Sequence, residues 1–171
     1  MLRGAGSRAD VLFLVDAKVL IRAHEDYYPI ERVPQFWQWL EQEARANRVK
    51  MPLEMFSEIA DSKGPLRDWI CEPEVKKALV LDEEVDQDSL DEVLTEGYGD
   101  KLTEVDLEKI GSDAFLIAYA LAERDRVVVT KETSRPKKLG GNRKIPDVCN
   151  TLNVGCIGDF ELYRRLRFST A

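Results

Sequence analysis

The stretch Val11-Leu12-Phe13-Leu14-Val15-Asp16 is a continuous apolar run closed by an acid, the pattern of a strand buried on both faces of a sheet. A second run, Val127-Val128-Val129 within Arg126 to Thr130, places three β-branched residues in succession and is followed by Lys131 and Glu132. Around these two strands the periodicity turns helical. A helix is expected from just past Asp16 to about His24, ended by Tyr27, Tyr28 and Pro29. Pro34 starts a second, with Phe36, Trp37, Leu40 and Ala44 on one face. Val49, Met51 and Leu53 alternate as a short strand, and Met55, Phe56, Ile59 and Ala60 then form an apolar stripe, with Glu58 one turn beyond Glu54.

Further along, a short helix is expected around Leu66 to Ile70, and one or two solvent-facing helices in an acidic tract with Leu90, Val93 and Leu94 turned inward. Ser112 or Asp113 is expected to cap the helix of Phe115, Leu116, Ala118, Tyr119 and Ala122. The pair Gly140-Gly141 marks a turn, Ile145 to Leu152 a helix begun by Pro146, and Val154 to Ile157 a last strand. Strands alternating with helices give an α/β fold with a mostly parallel sheet covered on both faces. In such sheets ligands gather at the carboxyl ends of the strands. Asp16 and Glu132 stand at two of those ends, and Asp113 opens the helix that leads into the second strand.

Composition narrows the chemistry. With 171 residues and 44% apolar content, one domain over 1–171 is expected, with 1–9 flexible. No uncharged apolar stretch approaches the roughly 20 residues of a membrane span, and the N-terminal segment lacks the pattern of a secretory signal, so a cytoplasmic protein is expected. Three widely spaced cysteines read as reduced core residues rather than a zinc site. A single histidine, His24, leaves catalysis to carboxylates, of which there are 32. The net charge of −7 argues against coating nucleic acid by bulk electrostatics, but the charge is uneven. Twelve acids face Lys101 alone between Asp82 and Glu108, whereas Lys131, Arg135, Lys137, Lys138, Arg143 and Lys144 face Glu132 alone between Lys131 and Lys144. A polyanion can meet a basic surface on this acidic chain.

Several carboxylates brought together repel one another, and a hard, oxygen-preferring Mg²⁺ or Mn²⁺ resolves that conflict. Such an ion supports phosphodiester hydrolysis without histidine. A haloacid-dehalogenase-like phosphatase would need a second acid two residues after Asp16, where Lys18 stands. A receiver domain would need a mid-chain phosphoacceptor Asp with paired acids before it.

The segments Leu14-Val15-Asp16-Ala17-Lys18-Val19-Leu20-Ile21, Met51-Pro52 with Phe56-Ser57-Glu58-Ile59-Ala60, Ser112-Asp113-Ala114-Phe115-Leu116 and Val127-Val128-Val129-Thr130-Lys131-Glu132 resemble, in order and spacing, the motif set of PIN-domain ribonucleases. Tyr28-Pro29, Pro34 to Leu40 and Ile145-Pro146-Asp147-Val148-Cys149 look like the PIN-like branch catalogued as DUF4411. The resemblance implies a three-layer α/β/α sandwich and a metal-dependent ribonuclease, the toxin of a toxin–antitoxin pair, with RNA as substrate, a protein antitoxin as partner and room for a homodimer. It assigns Asp16, Glu58, Asp113 and Glu132 to catalysis and to Mg²⁺ or Mn²⁺, and Asp147 to an outer shell. Lys18, Thr130, Lys137, Lys138, Arg143 and Lys144 are the substrate-binding candidates. The chain departs from the pattern after the first acid: Ala17 and Lys18 stand where the family carries hydroxyl and amide side chains. Phe36, Trp37 and Trp39 are placed in the core rather than against bases, and a degenerate PIN-like domain that binds RNA or a partner without cutting is the alternative.

Overall fold

A computed structural model describes residues 10–171; the segment 1–9, expected to be flexible, lies outside the described residues. Strands β1 (Leu12–Val15), β2 (Val49–Lys50), β3 (Arg126–Val129) and β4 (Gly155–Ile157) form one all-parallel sheet in the order β2-β1-β3-β4. The two apolar runs that decide the fold are its central strands, paired from Leu12↔Arg126 to Val15↔Val129. Leu14, Val15, Val128 and Val129 are fully buried, as expected of strands covered on both faces.

Helices flank the sheet in a three-layer α/β/α sandwich. After β1 come α1 (Ala17–Arg22), a π-helical turn (Ala23–Tyr27) and α2 (Pro34–Arg45). Between β2 and β3 run α3 (Leu53–Ala60), α4 (Pro65–Ile70), α5 (Pro73–Leu79), α6 (Gln87–Glu92), a second π-helical turn (Val93–Tyr98), α7 (Glu104–Ile110) and α8 (Asp113–Leu121). Helix α9 (Ile145–Thr151) joins β3 to β4, and α10 (Asp159–Arg165) follows. Helix α8 is apolar nearly all round and buries Ala114, Leu116, Ile117, Ala118, Tyr119 and Ala120, the behaviour of a helix packed in the middle of a core. Among the described residues no helix is long and apolar enough to cross a membrane.

Two expectations are corrected here, and two helices appear that the sequence pattern did not mark. Leu53 belongs to no strand: β2 ends at Lys50, Met51 bridges Val80, and Leu53 opens α3 with 49% of its surface exposed. Neither Ser112 nor Asp113 caps α8 through its side chain; Ser112 stands at the N-cap position in a helical conformation, and its hydroxyl faces the Glu54 carbonyl at 3.4 Å. Helices α5 and α10 carry no strong stripe in sequence, because charged residues such as Lys76, Lys77, Arg164 and Arg165 interrupt seven-residue segments, yet Val75, Leu79, Leu162 and Tyr163 anchor them. Phe36 and Trp37 are 1% and 2% exposed, and Trp39 packs on Tyr163 and Phe168, so this stripe is core. The three cysteines are free thiols, Cys149 buried and Cys71 and Cys156 partly so.

The connections carry the consequence for function. From β1 the chain moves outward to β2, then crosses back over β1 to β3 and on to β4. The strand order therefore reverses between β1 and β3, and a crevice forms outside the carboxyl ends of strands at such a reversal. Asp16 and Thr130 are the first residues beyond those two ends.

Candidate active site

Asp16 leaves β1 in extended conformation and caps α1, its Oδ1 accepting the Lys18 backbone N–H at 3.2 Å. Its Oδ2 accepts the Thr130 hydroxyl at 3.0 Å, and Thr130 Oγ1 accepts the Glu132 N–H at 3.1 Å. The Val15↔Val129 register sets this chain of bonds, since it brings the next residue of each strand side by side. Asp16 and Thr130 are 1% and 2% exposed. Thr130, expected at the substrate, is buried here and spends its hydroxyl on positioning Asp16 and the Glu132 backbone.

Glu132 is held from two sides. Its Oε2 accepts the Ile145 N–H at 2.8 Å, at the start of α9, and its Oε1 lies 3.6 Å from the Lys18 ammonium. A carboxylate there faces the positive end of a helix. Asp113, at the first position of α8, is half-buried and within electrostatic reach of Asp16, Glu132, Lys18 and, most weakly, Glu58. Burial, then the charges of Asp16 and Glu132, push its pKa up to about 8, against the opposing pull of Lys18. Burial likewise raises Asp16 to about 6, although the Lys18 N–H, the Thr130 hydroxyl and the Lys18 charge oppose it and Glu132 adds to it. Lys18 responds in reverse: partial burial disfavours its charge, but Glu132, Asp16 and Asp113 together raise its pKa.

Glu58 is exposed on α3 and stands at the margin of this group. Asp147 does not join the acids. Its carboxylate accepts the Ser134 hydroxyl and the Arg135 N–H at 2.7 Å, so it pins the basic loop and its pKa lies below the usual range. Arg143 lines the smaller of two depressions in the crevice and also anchors the loop: its guanidinium donates to the carbonyls of Gly97 and Asp147 and, at 3.0 Å, to the Thr151 hydroxyl. Lys138 and Lys144 do face the crevice. They line both a depression of 440 Å³ with Lys131, Glu132, Thr133 and Arg135, and one of 290 Å³ with Lys18, Lys109 and Asp113. Lys137 is exposed outside both.

Two residues enter that the sequence did not single out. Lys109 reaches the crevice because the loop packs on α7 at a glycine: a Cβ on Gly141 would stand 2.8 Å from Asp106 Cα. Tyr98 closes the second π-helical turn, 4% exposed, and its hydroxyl has no hydrogen-bond partner. Burial, then the charges of Asp113 and Glu132, drive its pKa upward. A π turn shifts side chains off the 3.6-residue period, and no periodicity could have found Tyr98.

The family model described as Domain of unknown function (DUF4411) matches residues 13–170. The chain belongs to the DUF4411 family. No curated protein and no solved structure matches it.

The DUF4411 chain can be tested for fit to a divalent cation. Among the described residues no three His, Cys, Asp or Glu side chains stand close enough to hold an ion together, and Lys18 neutralises Glu132. The donor chemistry nevertheless fits. Asp16 and Asp113 offer hard oxygens whose ionisation is disfavoured in the ion's absence, and the orphaned Tyr98 hydroxyl offers a donor to a carboxylate or water beside them. Mg²⁺ needs no more than one or two carboxylates when waters and substrate phosphate complete its shell.

Proposed function

We propose that this chain is a metal-dependent ribonuclease, hydrolysing RNA phosphodiester bonds at Asp16, Asp113 and Glu132. One observation carries the reading: three carboxylates within electrostatic reach of one another lie near the reversal of the strand order, in a crevice whose rim is lysine. Acids alone would repel a phosphate, and lysines alone would bind it without chemistry; the combination suits a phosphodiester held at its oxygens and attacked at phosphorus. Mg²⁺ or Mn²⁺ held by Asp16 and Asp113 would supply an activated water and neutralise phosphate oxygens.

The chain's own residues do the rest. Thr130 fixes the Asp16 carboxylate, and the buried Tyr98 hydroxyl, without a hydrogen-bond partner, feels the charges of Asp113 and Glu132. Lys138, Lys144 and Lys109 offer ammonium groups to consecutive phosphates. Attack by water rather than by the ribose 2′-hydroxyl leaves 5′-phosphate and 3′-hydroxyl ends. Such an activity unchecked in a cell damages its own RNA, so a toxin held by a protein antitoxin is the biological role we assign it.

A second reading is favoured by the Lys18–Glu132 pair, which puts a fixed cation where a metal's charge would act: a degenerate domain that binds RNA without cutting. Incubating the purified protein with mixed RNAs and Mn²⁺, beside an Asp113→Asn control, separates the two. Cleavage by the wild type alone supports the nuclease; RNA retention without cleavage in either supports the binder.

A further inference from the structure

Phe160 is a phenylalanine left 46% exposed on the first turn of α10, while Leu162 and Tyr163 of the same helix are buried. Tyr27, at the end of the first π-helical turn, is 37% exposed, and the two ring centroids lie 5.3 Å apart. The Lys131 ammonium sits 4.9 Å from the Phe160 centroid and 5.0 Å from that of Tyr27, fixed there by Asp159 at 3.1 Å. Lys131 also lines the 440 Å³ depression that holds Glu132, Lys138 and Lys144. On the far side, Phe160 borders a 490 Å³ groove with Tyr28, Tyr163, Arg164 and Arg167. The acidic crevice, a cation-topped aromatic ridge and an arginine-lined groove are thus contiguous. Arg167 makes no ion pair among the described residues.

We infer that this ridge is a base-stacking platform for single-stranded RNA, with Phe160 and Tyr27 receiving bases whose phosphates run between Lys138 and Arg167. The inference rests on the ribonuclease reading and adds to it a subsite for unpaired bases. A polynucleotide alternates anionic and aromatic groups, and the surface sets cationic groups on either side of an aromatic pair. A duplex keeps its bases stacked on one another and offers these rings nothing, whereas an unpaired strand offers every base a π-face. The cations favour a polyanion over an apolar peptide.

The test uses the Asp113→Asn chain, so that RNA survives, and a 12-nucleotide RNA carrying 2-aminopurine, alone or paired with its complement. The single strand is expected to bind with a change in 2-aminopurine fluorescence, and Phe160→Ala should weaken that binding about tenfold and suppress the change. Phe160→Trp should restore both, and binding of the duplex should be insensitive to either substitution. Single-strand affinity and fluorescence unchanged by Phe160→Ala and by Tyr27→Ala would overturn the platform while leaving the ribonuclease reading intact, and would leave the ridge to a protein partner. Failure to bind either RNA would overturn both.

Discussion

The floor of the crevice and its rim are built on opposite principles. On the floor, Asp16 and Thr130 are buried, bonded to each other and to the backbone, and set by strand register. On the rim, Lys138 and Lys144 stand on a loop pinned at its two ends, by Asp147 near Arg135 and by Arg143 on Gly97. The floor stores unfavourable electrostatics in buried, bonded groups; the rim holds favourable charge in side chains open to solvent. Chemistry is assigned to the first and affinity to the second, and each substitution below should fall on one side of that division.

The largest effect is expected on the floor. Asp113→Asn should reduce RNA cleavage by about 10³-fold, measured as the initial rate with Mn²⁺, with RNA affinity little changed. A comparable loss of affinity would merge floor and rim. The next effect separates two basic residues of one loop. Arg143→Ala removes donors to two carbonyls and a hydroxyl and should cost about 2 kcal/mol, roughly 4–8 °C in Tm. Lys138→Ala with Lys144→Ala should leave stability within about 0.5 kcal/mol. That pair should instead reduce the slope of log affinity against log salt by about 1.4 for single-stranded RNA.

The pH dependence of stability comes third. Asp16 and Asp113 have folded pKa values of about 6 and about 8, above those of the unfolded chain. The folded state therefore holds the extra protons, and stability falls as pH rises, through about 4 to 6 for Asp16 and about 4 to 8 for Asp113. Asp113→Asn should flatten the decline between pH 6 and 8 in thermal melts without divalent ions; an unaltered slope would place its carboxyl in solvent. The smallest effect is expected at Lys18, 58% exposed at its side chain. Lys18→Asn should tighten Mn²⁺ binding severalfold, and unchanged affinity would mean that its charge does not compete with the ion.

The same division governs what the sequence revealed. The floor was legible because its residues follow directly from two apolar runs: once Val11 to Val15 and Val127 to Val129 are parallel neighbours, Asp16, Thr130 and Glu132 must share an edge. Helix α8 was legible for the same reason, and with it Asp113. The rim was legible only as charge. Composition could not tell Arg143, which bonds inward as it lines the crevice, from Lys138, which lines it without such bonds, because both are basic residues in one loop. Lys109 depends on Gly141 meeting Asp106 across 34 intervening positions, and Tyr98 on a π turn. Asp147 carried the right residue type at the right distance in sequence, but its bonds to Ser134 and Arg135 commit it to the loop.

The central claim is that Asp16 and Asp113 hold a divalent cation. A Mn²⁺ titration followed by thermal unfolding at pH 8, where both acids are strained in the ion-free protein, addresses it with no RNA present. Mn²⁺ is expected to raise the Tm of the wild type in a saturable manner, and to leave that of Asp16→Asn and Asp113→Asn unmoved. A wild-type Tm indifferent to Mn²⁺, or an equal rise in all three proteins, would contradict the account.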